Sequence, residues 1–389
     1  MVAQTELISS IAAQVRAAAA AGTTLRLRGG GSKDFYGESL QGDILDTTSL
    51  NGVVSYEPTE LVVTALAGTP LAELEALLLA QGQCLPFEPP HFNTNSTPPA
   101  SSGGTQSSGI AAGSAATVGG MVAAGLSGPA RANVGAVRDY VLGVKLINGK
   151  GEHLSFGGQV MKNVAGYDVS RLMVGSMGTL ALLTEVSLKV LPVAPLEATL
   201  RFDMSQAQAL TQLHSWGGQP LPLNASCWLE ESGTGALYLR LRGAVAAVEA
   251  ACDKLGGQRL SNSQAAADWQ RCRDQQLPWF KERTDTQDLW RLSVPQTTPP
   301  LDLPDSPLME WHGGQRWVRA DAQQGQRLRE LTASVGGSAT LFIASSAYKQ
   351  SSIARFDSLK PPLDRIHRQL KHEFDPSGVF NPHRMYADW

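Results

Sequence analysis

The sequence predicts an α+β protein of two domains, and three observations support that prediction. A chain of 389 residues is too long for one ordinary core and long enough for two. The first half alternates helical and strand periodicities around glycine-rich segments, and Pro192 and Pro195 end that pattern. The second half holds all eight tryptophans and alternates strand-like with helix-like segments, which favours an antiparallel sheet with helices on one face. We therefore place the domains at residues 1–195 and 196–389.

The first domain begins with a helix and a strand that leads into a glycine loop. Apolar residues at helical spacing predict a helix from Gln4 to Ala21, which Gly22 ends. The strand at 24–28 runs directly into Gly29-Gly30-Gly31-Ser32. The other elements predicted here are strands at 43–46, 61–67 and 179–191, helices at 70–79 and 168–174, and a hairpin of 141–147 and 151–156 around Asn148-Gly149.

The second domain alternates predicted strands and helices, and the first domain contains one unusual segment. Strands are predicted at 236–241, 315–320 and 339–344, and helices at 244–255, 323–334 and 363–373. Residues 93–116 are almost all small or polar. Such a segment cannot bury enough apolar surface to order itself, so we interpret it as a flexible insert inside the first domain.

Composition excludes several functional classes. Charged residues make up 17% of the chain and the net charge is -3, so no basic surface for nucleic acid is expected. The four cysteines form no C-x-x-C pair, which argues against an iron–sulfur cluster and a zinc site. No export signal or bilayer-spanning segment is visible, so we expect a cytoplasmic protein that meets a membrane only through a partner.

Three glycine-lined segments predict a ligand approached closely by backbone. They lie at 29–31, 119–128 and 166–178. Glycine leaves no Cβ between a ligand and the main chain, and consecutive N–H groups can form an anion site. The G-x-G-x-x-G and G-x-x-x-x-G-K-[ST] motifs are both absent, which disfavours a Rossmann domain and a P-loop. A dinucleotide fits three such segments better than a single phosphate.

These segments also carry a family resemblance. The runs RGGGS, TVGGMVAAGLSGPAR, VGAVRDYVLGVKLINGKGE and VMKNVAGYDVSRLMVGSMGTLALLTEVSLKVLP resemble the FAD-binding domain of the vanillyl-alcohol oxidase / p-cresol methylhydroxylase (PCMH) flavoprotein superfamily, over about residues 5–195. Within it, GGQVMKNVAGYDVSRL and FDPSGVFNPHRMY resemble the small FAD-binding subunit of bacterial glycolate oxidase. The implied fold is a two-part PCMH-type FAD-binding domain, then an α+β cap whose C-terminal segment returns to the flavin.

The resemblance implies a set of FAD-binding residues. They are Arg28, Gly29, Gly30, Gly31 and Ser32 at the pyrophosphate; Thr117, Gly119 and Gly120 on the other side of that cradle; Ser127, Gly128 and Gly135 along the ribityl chain and flavin; Asp168, Gly175, Gly178 and Thr179 closing around the dinucleotide; Val186 at the adenine; and Asn381 at the far end of the flavin. Ser32 stands where a histidine often attaches the flavin, so we expect non-covalent FAD. His383 replaces the glycine of the usual Asn-Pro-Gly-Arg ending, so a positive φ is not expected there.

Three side chains are weak catalytic candidates. His312, between Trp311 and two glycines, is a candidate general base, with a structural histidine as the alternative. Arg291 is a candidate clamp for a carboxylate or a structural arginine, and Lys162 is a candidate stabiliser of the anionic reduced flavin or a surface residue. No Gly-Asp-Gly-Asn segment with flanking histidines exists, so we expect no metal site.

The hypotheses for function follow from the resemblance. The first is the FAD-binding subunit of a glycolate oxidase (glycolate dehydrogenase) complex, which oxidises glycolate to glyoxylate and passes electrons through flavin to an iron–sulfur subunit. Its partners would be the iron–sulfur subunit and a larger FAD-binding dehydrogenase subunit. The complex would lie at the periphery of the inner membrane. The alternatives are a self-sufficient FAD-dependent D-2-hydroxyacid dehydrogenase and a non-catalytic scaffold with a flavin fold.

Overall fold

The computed structural model describes residues 2–92, 115–158, 168–346 and 353–388. The predicted insert lies almost wholly outside the described residues, and so does Lys162.

The chain forms two compact units that are not simple halves. The first unit comprises Met1–Leu126, Ala136–Pro192 and Ser358–Trp389, and the second comprises Ser127–Gly135 and Val193–Asp357. The main change of unit, after Pro192, lies close to the boundary predicted at 195. The sequence did not predict that a nine-residue segment leaves the first unit and returns to it.

The helices and strands predicted from hydrophobic periodicity are present in the structure, together with further elements. Up to Pro192 they are α1 (Val2–Ala21), β1 (Leu25–Arg28), β2 (Asp43–Asp46), β3 (Val53–Glu57), β4 (Val62–Leu66), α2 (Leu71–Ala80), β5 (Gln83–Cys84), α3 (Val118–Ala124), α4 (Arg131–Val134), α5 (Val137–Tyr140), β6 (Val141–Ile147), β7 (His153–Gly157), α6 (Val169–Leu172), β8 (Leu182–Lys189) and β9 (Leu191–Pro192).

The remaining elements lie beyond Pro192. They are β10 (Leu196–Asp203), α7 (Gln206–Gly217), β11 (Leu223–Glu231), β12 (Thr234–Gly243), α8 (Val245–Leu255), β13 (Gln258–Arg259), α9 (Asn262–Arg273), α10 (Pro278–Lys281), β14 (Gln287–Ser293), β15 (Leu308–Glu310), β16 (Gln315–Asp321), α11 (Gly325–Ser334), β17 (Ser338–Ile343) and α12 (Leu363–Phe374), with 3-10 turns at Trp311–Gly313 and Ala322–Gln324.

The first unit is built on a five-stranded antiparallel sheet. Its strand order is β3-β4-β8-β6-β7, and α2 and α3 contribute to the apolar core on β4 and β8. A separate parallel pair, β1 and β2, packs with α1, and Leu25 of β1 also bridges to Phe380 near the C-terminus. The C-terminal segment therefore extends the pair that leads into the first glycine loop.

The second unit contains an eight-stranded antiparallel sheet, which confirms the predicted α+β class. The strand order is β13-β10-β12-β11-β15-β16-β14-β17. Leucines of β12 pack with α7 and α8, and Trp290 and Leu292 of β14 pack with α11. On the opposite face, Trp269 of α9 donates to Thr199 of β10 at 3.0 Å, so the helices are not confined to one face of the sheet as the sequence favoured. None of the helices in the described ranges has the length and apolar content that a bilayer crossing requires.

Candidate functional site

The first glycine loop lies directly against the segment that begins α3. A Cβ atom on Gly29 would lie 2.4 Å from Oγ1 of Thr117, and one on Gly30 would lie 1.7 Å from the carbonyl oxygen of Ala115. Gly31 in addition adopts a φ of 74°. Side chains are excluded here because two backbones approach each other. The first and second glycine segments of the sequence are therefore neighbours in the fold.

At the start of α3, Thr117 and Gly120 line a cavity, whereas Gly119 packs against a neighbouring segment. Oγ1 of Thr117 accepts a hydrogen bond from N of Gly120 at 3.2 Å and caps the helix. The N–H of Gly119 instead donates to the carbonyl of Ala67 at 2.7 Å, and a Cβ there would lie 2.7 Å from that alanine's Cβ. Gly119 is thus required for packing α3 on Ala67, directly after β4, and its N–H is engaged there. The cofactor contact predicted for Gly119 stays a prediction.

The third glycine segment closes against the end of the same helix. N of Gly175 donates to the carbonyl of Val122 at 3.0 Å, and N of Met177 donates to that of Ala123 at 2.8 Å. Gly175 and Gly178 adopt φ values of 78° and 69°, which only glycine reaches at little cost. The first segment, the second up to Leu126 and the third over 175–178 thus lie together within the first unit, whereas Ser127 and Gly128 belong to the second unit.

The side-chain amide of Asn381 joins the first segment to the third. Its Oδ1 accepts from N of Leu27 at 2.8 Å, and its Nδ2 donates to the carbonyl of Met177 at 2.7 Å. A Cβ on Gly178 would lie 2.7 Å from that Nδ2. His383 adopts a φ of 56°, so the turn of the family ending is kept without its glycine, contrary to the expectation from the sequence.

A cavity of about 100 Å³ opens where these segments meet. Small-molecule pockets usually measure ~300–1,000 Å³, so this one can receive only part of a dinucleotide, such as its diphosphate. The predicted residues that line it are Arg28, Gly29, Gly30, Gly31, Ser32, Thr117, Gly120 and Asn381. The lining residues that the sequence reasoning missed include Lys33, Asp34, Met177 and Arg384.

The charges around the cavity favour an anion. Arg28, Lys33 and Arg384 line it together with one carboxylate, Asp34, which leaves two positive charges in excess. Nε of Arg28 lies 3.0 Å from Oδ2 of Asp34, and Nζ of Lys33 lies 3.3 Å from Oγ of Ser32. Cationic side chains beside a glycine nest suit a diphosphate. Lys33 directly follows the loop Gly29-Gly30-Gly31-Ser32, and this position was the signal in the sequence that could have identified it.

Arg384 holds the loop that follows the glycines. Its guanidinium is buried and donates to the main-chain carbonyls of Lys33, at 3.4 Å, and Asp34, at 3.0 Å. It also donates to the carbonyls of Tyr36 and Glu38. A single planar cation thus fixes the path of the backbone over residues 33–38.

Lys371 of α12 anchors the C-terminal segment that carries Asn381. Its Nζ donates to the carbonyl of Thr179 at 2.7 Å, to Oδ2 of Asp375 at 2.6 Å and to the carbonyl of Phe380 at 3.1 Å. Asp375 in turn accepts from N of Val379 and N of Phe380. Burial lowers the pKa of Lys371, and the carboxylate of Asp375 opposes that shift.

Two further predicted residues have structural roles in the described fold. Asp168 caps α6, accepting from N of Arg171 at 3.1 Å. Val186 is fully buried in β8, between Ala65 of β4 and Val144 of β6. Neither lines the cavity, and their contacts with a cofactor stay predictions.

The residues predicted along the flavin belong to the second unit. Ser127, Gly128 and Gly135 all lie in the nine-residue segment that leaves the first unit. The carbonyl of Gly128 accepts from Nε1 of Trp311 at 3.0 Å, and Gly135 ends α4 with a φ of 96°. Their contact with a flavin stays a prediction.

His312 is buried in the second unit and is poorly suited to act as a base. Burial lowers its pKa to about 4. Its Nε2 lies 2.6 Å from Nδ2 of Asn133, which also donates to the carbonyl of Asn224 at 2.9 Å. Because a carbonyl only accepts, Nδ2 is the donor in both bonds and Nε2 of His312 must accept. The lone pair that a general base needs is occupied, which argues against the predicted role.

Arg291 lies on β14 in the same unit. Its guanidinium sits over the ring of Phe342, 5.6 Å from the centroid. In the sheet it stands between Trp317 of β16 and Thr340 of β17. This position fits a structural arginine, and its role as a carboxylate clamp stays a prediction.

Within the described ranges, no group of three or more His, Cys, Asp or Glu side chains is placed to hold a metal ion. The four cysteines are free thiols, and Cys227 and Cys272 are buried.

Comparisons with known proteins show the family to which the chain is similar. A family model described as an FAD binding domain matches residues 1–157. Glycolate oxidase subunit GlcE of Escherichia coli is 44% identical over 375 residues, which cover 96% of this chain and 96% of that protein. Glycolate oxidase subunit GlcD of Bacillus subtilis is 39% identical over 84 residues, 22% of this chain and 18% of that protein.

Two further proteins are similar to this chain, one in sequence and one in fold. A D-lactate dehydrogenase of Anaerostipes hadrus is 30% identical over 151 residues, 39% of this chain and 27% of that protein. The solved structure of an alkyldihydroxyacetonephosphate synthase superposes with a TM-score of 0.61 at 14% identity, over 96% of this chain and 75% of that one. At that identity the superposition shows the fold alone.

Proposed function

The chain belongs to the family of FAD-binding glycolate oxidase subunits represented by GlcE, and from this premise we propose that it is the flavin subunit of a glycolate oxidase complex. In that complex glycolate is oxidised to glyoxylate, and electrons pass through the flavin to an iron–sulfur subunit. The single observation that carries the proposal is the meeting of the 29–31, 117–120 and 175–178 segments around one cationic cavity.

The residues present fit the diphosphate of FAD. The loop over 29–31 has no side chains, and Gly31 has a positive φ, a conformation in which successive N–H groups can form an anion nest. Arg28 and Lys33 supply charge at the same surface. Gly29 and Gly30 serve this arrangement indirectly, because they allow the loop to rest on Ala115 and Thr117.

The chemistry of the complex divides between cofactor and protein. When bound, FAD supplies the acceptor for the two electrons removed from the alcohol carbon. The protein's contribution at the cavity is binding and orientation: Lys33 and Arg28 neutralise the diphosphate, and Asn381 and Arg384 keep the loops that carry them in place. Ser32 occupies the position of covalent attachment in related flavoproteins, so the proposal is of FAD held by non-covalent contacts.

The subunit names of the relatives indicate a multi-subunit oxidase. We extend this to a larger FAD-binding dehydrogenase subunit and an iron–sulfur subunit as the partners of this chain. We also propose a cytoplasmic complex that meets the inner membrane through those partners. Fractionation of cells with antibody to this chain, with and without the partner genes, tests the last point.

Co-purification and the visible spectrum test the proposal together. The full chain, expressed with its presumed partners, should carry yellow FAD that heat denaturation releases, and the complex should turn over glycolate. Arg28→Ala combined with Lys33→Ala should lower the FAD content, whereas Lys150→Ala, an exposed cation outside the cavity, should leave it unchanged. A colourless wild-type chain, or FAD held covalently, would contradict the proposal.

One alternative has a specific observation in its favour. The likeness to D-lactate dehydrogenases fits a self-sufficient FAD-dependent D-2-hydroxyacid dehydrogenase. Anaerobic bleaching of the flavin by glycolate or D-lactate in the isolated chain would favour this alternative. Bleaching in the complex alone would favour the subunit.

A further inference from the structure

One carboxylate lines the diphosphate cavity among the cations. It belongs to Asp34, whose Oδ2 lies 2.6 Å from Nη2 of Arg26 and 3.0 Å from Nε of Arg28. A negative charge in the wall of an anion site repels the anion. The contacts of Asp34 indicate what its carboxylate does there instead.

A strand and the loop that follows it bring these three charges together. Arg26 and Arg28 stand two positions apart on β1, so their side chains leave the same face of the strand. After the glycine loop, N of Asp34 donates to the carbonyl of Gly31 at 3.1 Å, and Nη2 of Arg384 donates to the carbonyl of Asp34 at 3.0 Å. The main chain of Asp34 is thus fixed where its carboxylate meets both arginines.

The guanidinium of Arg28 is held at one end and available at the other. Its Nε donates to Asp34, and a Cβ on Gly31 would lie 2.4 Å from its Nη2, so the glycine leaves room for the guanidinium. Across the described residues, Nη1 and Nη2 of Arg28 have no hydrogen-bond partner. A guanidinium presents its donors in a planar fork that matches phosphate oxygens. Two donors of an arginine that lines the cavity therefore remain for an anion.

Arg26 keeps Asp34 from neutralising Arg28. Of these two described arginines, Arg28 alone lines the cavity, and both meet the same oxygen of Asp34. Two guanidinium groups and one carboxylate carry one positive charge in excess. We propose that Asp34 is a positioning residue for the cofactor: it orients Arg28 through Nε, and Arg26 neutralises its carboxylate, so that the terminal nitrogens of Arg28 bind the diphosphate. That the diphosphate belongs to FAD rests on the proposed function.

Charge and orientation predict opposite effects of Asp34→Asn. The substitution removes a negative charge from the cavity wall, and by attraction alone FAD should bind a few-fold more tightly at low salt. In about 1 M NaCl the Debye length is ~3 Å, so this attraction is screened. The loss of orientation persists, because an arginine that must be immobilised on binding weakens the affinity ~3–10-fold. At high salt we therefore expect Asp34→Asn to bind FAD ~3–10-fold more weakly than wild type.

The test is a titration of the full-length apoprotein with FAD at high salt, followed by flavin fluorescence, in wild type, Asp34→Asn, Arg28→Ala and the double variant. Asp34→Asn should lose affinity in the wild-type background and cause no further loss in the Arg28→Ala background, because it acts through Arg28. A carboxylate that merely shaped the loop would weaken binding in both backgrounds. Asp43→Asn, which removes an exposed carboxylate of β2 outside the cavity, is the matched control and should bind FAD like wild type.

The possible results separate this inference from the proposed function. Partly exposed ion pairs contribute little to stability, so the Tm of Asp34→Asn should stay close to that of wild type. Unchanged or tighter binding by Asp34→Asn at high salt, or equal losses in the two backgrounds, would overturn the inference while FAD binding itself stands. A wild-type chain with no affinity for FAD would refute the proposed function and this inference together.

Discussion

Gly30→Ala is the sharpest test of the cofactor site. Its Cβ would lie 1.7 Å from the carbonyl oxygen of Ala115, 2.8 Å from that residue's carbonyl carbon and 3.1 Å from its nitrogen. All three are main-chain atoms and cannot rotate away. An ordinary contact begins at 3.4 Å, so the glycine loop and the start of α3 must separate by more than an ångström.

That separation sets the size of the effect. A hydrogen bond from a main-chain N–H to a diphosphate loses most of its strength when it lengthens by an ångström. Each such bond contributes about 1.5–3 kcal/mol, so the loss of one should weaken FAD binding ~10–100-fold. The fold of the first unit should survive, because the loop lies at the end of β1 and outside the apolar core.

The assay is a titration of the apoprotein with FAD, followed by flavin fluorescence, with thermal unfolding measured alongside. Gly217→Ala is the matched control, because a Cβ at Gly217 meets nothing within 4 Å. Both variants add one methyl group, and only Gly30→Ala should lose affinity. If Gly30→Ala bound FAD as tightly as Gly217→Ala, the loop would not be the diphosphate site and the geometric reasoning would fail.

Three further predictions concern stability and the loop. Arg384→Ala should lower FAD affinity about tenfold or more and expose 33–38 to proteolysis, because four main-chain carbonyls each lose one donor. Digestion rates with and without FAD check this. Lys371→Met should cost ~3–5 kcal/mol by leaving Asp375 buried without its cation, and the double variant with Asp375→Leu should recover part of the Tm. Burial lowers the pKa of His312 from 6.5 to about 4 in the folded protein. As the pH drops from 6.5 towards 4, His312 therefore takes up a proton in the unfolded chain before it does so in the folded one. The free energy of unfolding should fall over that range by up to about 3 kcal/mol. Unfolding of wild type and His312→Asn across that range should show a larger acid loss of stability in wild type than in the variant.

Local patterns in the sequence predicted much of the fold. The Asn148-Gly149 signal marked the β6–β7 hairpin, since a tight turn depends on residues within a few positions of each other. The strand β1, which leads directly into Gly29, likewise indicated the first glycine loop of the site, because the strand and the loop are adjacent in sequence. The character of the second unit also followed from its alternating segments, because strand and helix periods are local properties.

Contacts between distant positions could not be predicted in this way. Nothing near Ser127 indicates that the chain joins the second unit there, since that choice depends on partners such as Asn224 and Trp311. His383 adopts positive φ although its own preference opposes it, so the contacts of the C-terminal segment decide its conformation. Gly119 shows the converse: a glycine in a cofactor motif can be required by a neighbouring segment.

The two buried cations of the C-terminal segment explain why a site near residue 30 depends on residues near 380. Lys371 faces a carboxylate, so its removal leaves an uncompensated charge, and the damage should spread through the segment that Asp375 organises. Arg384 donates to main-chain carbonyls of one loop, so its removal leaves neutral acceptors, and the damage should stay within 33–38. Loss of the first cation should therefore lower stability and FAD affinity together, whereas loss of the second should lower affinity with a smaller change in Tm.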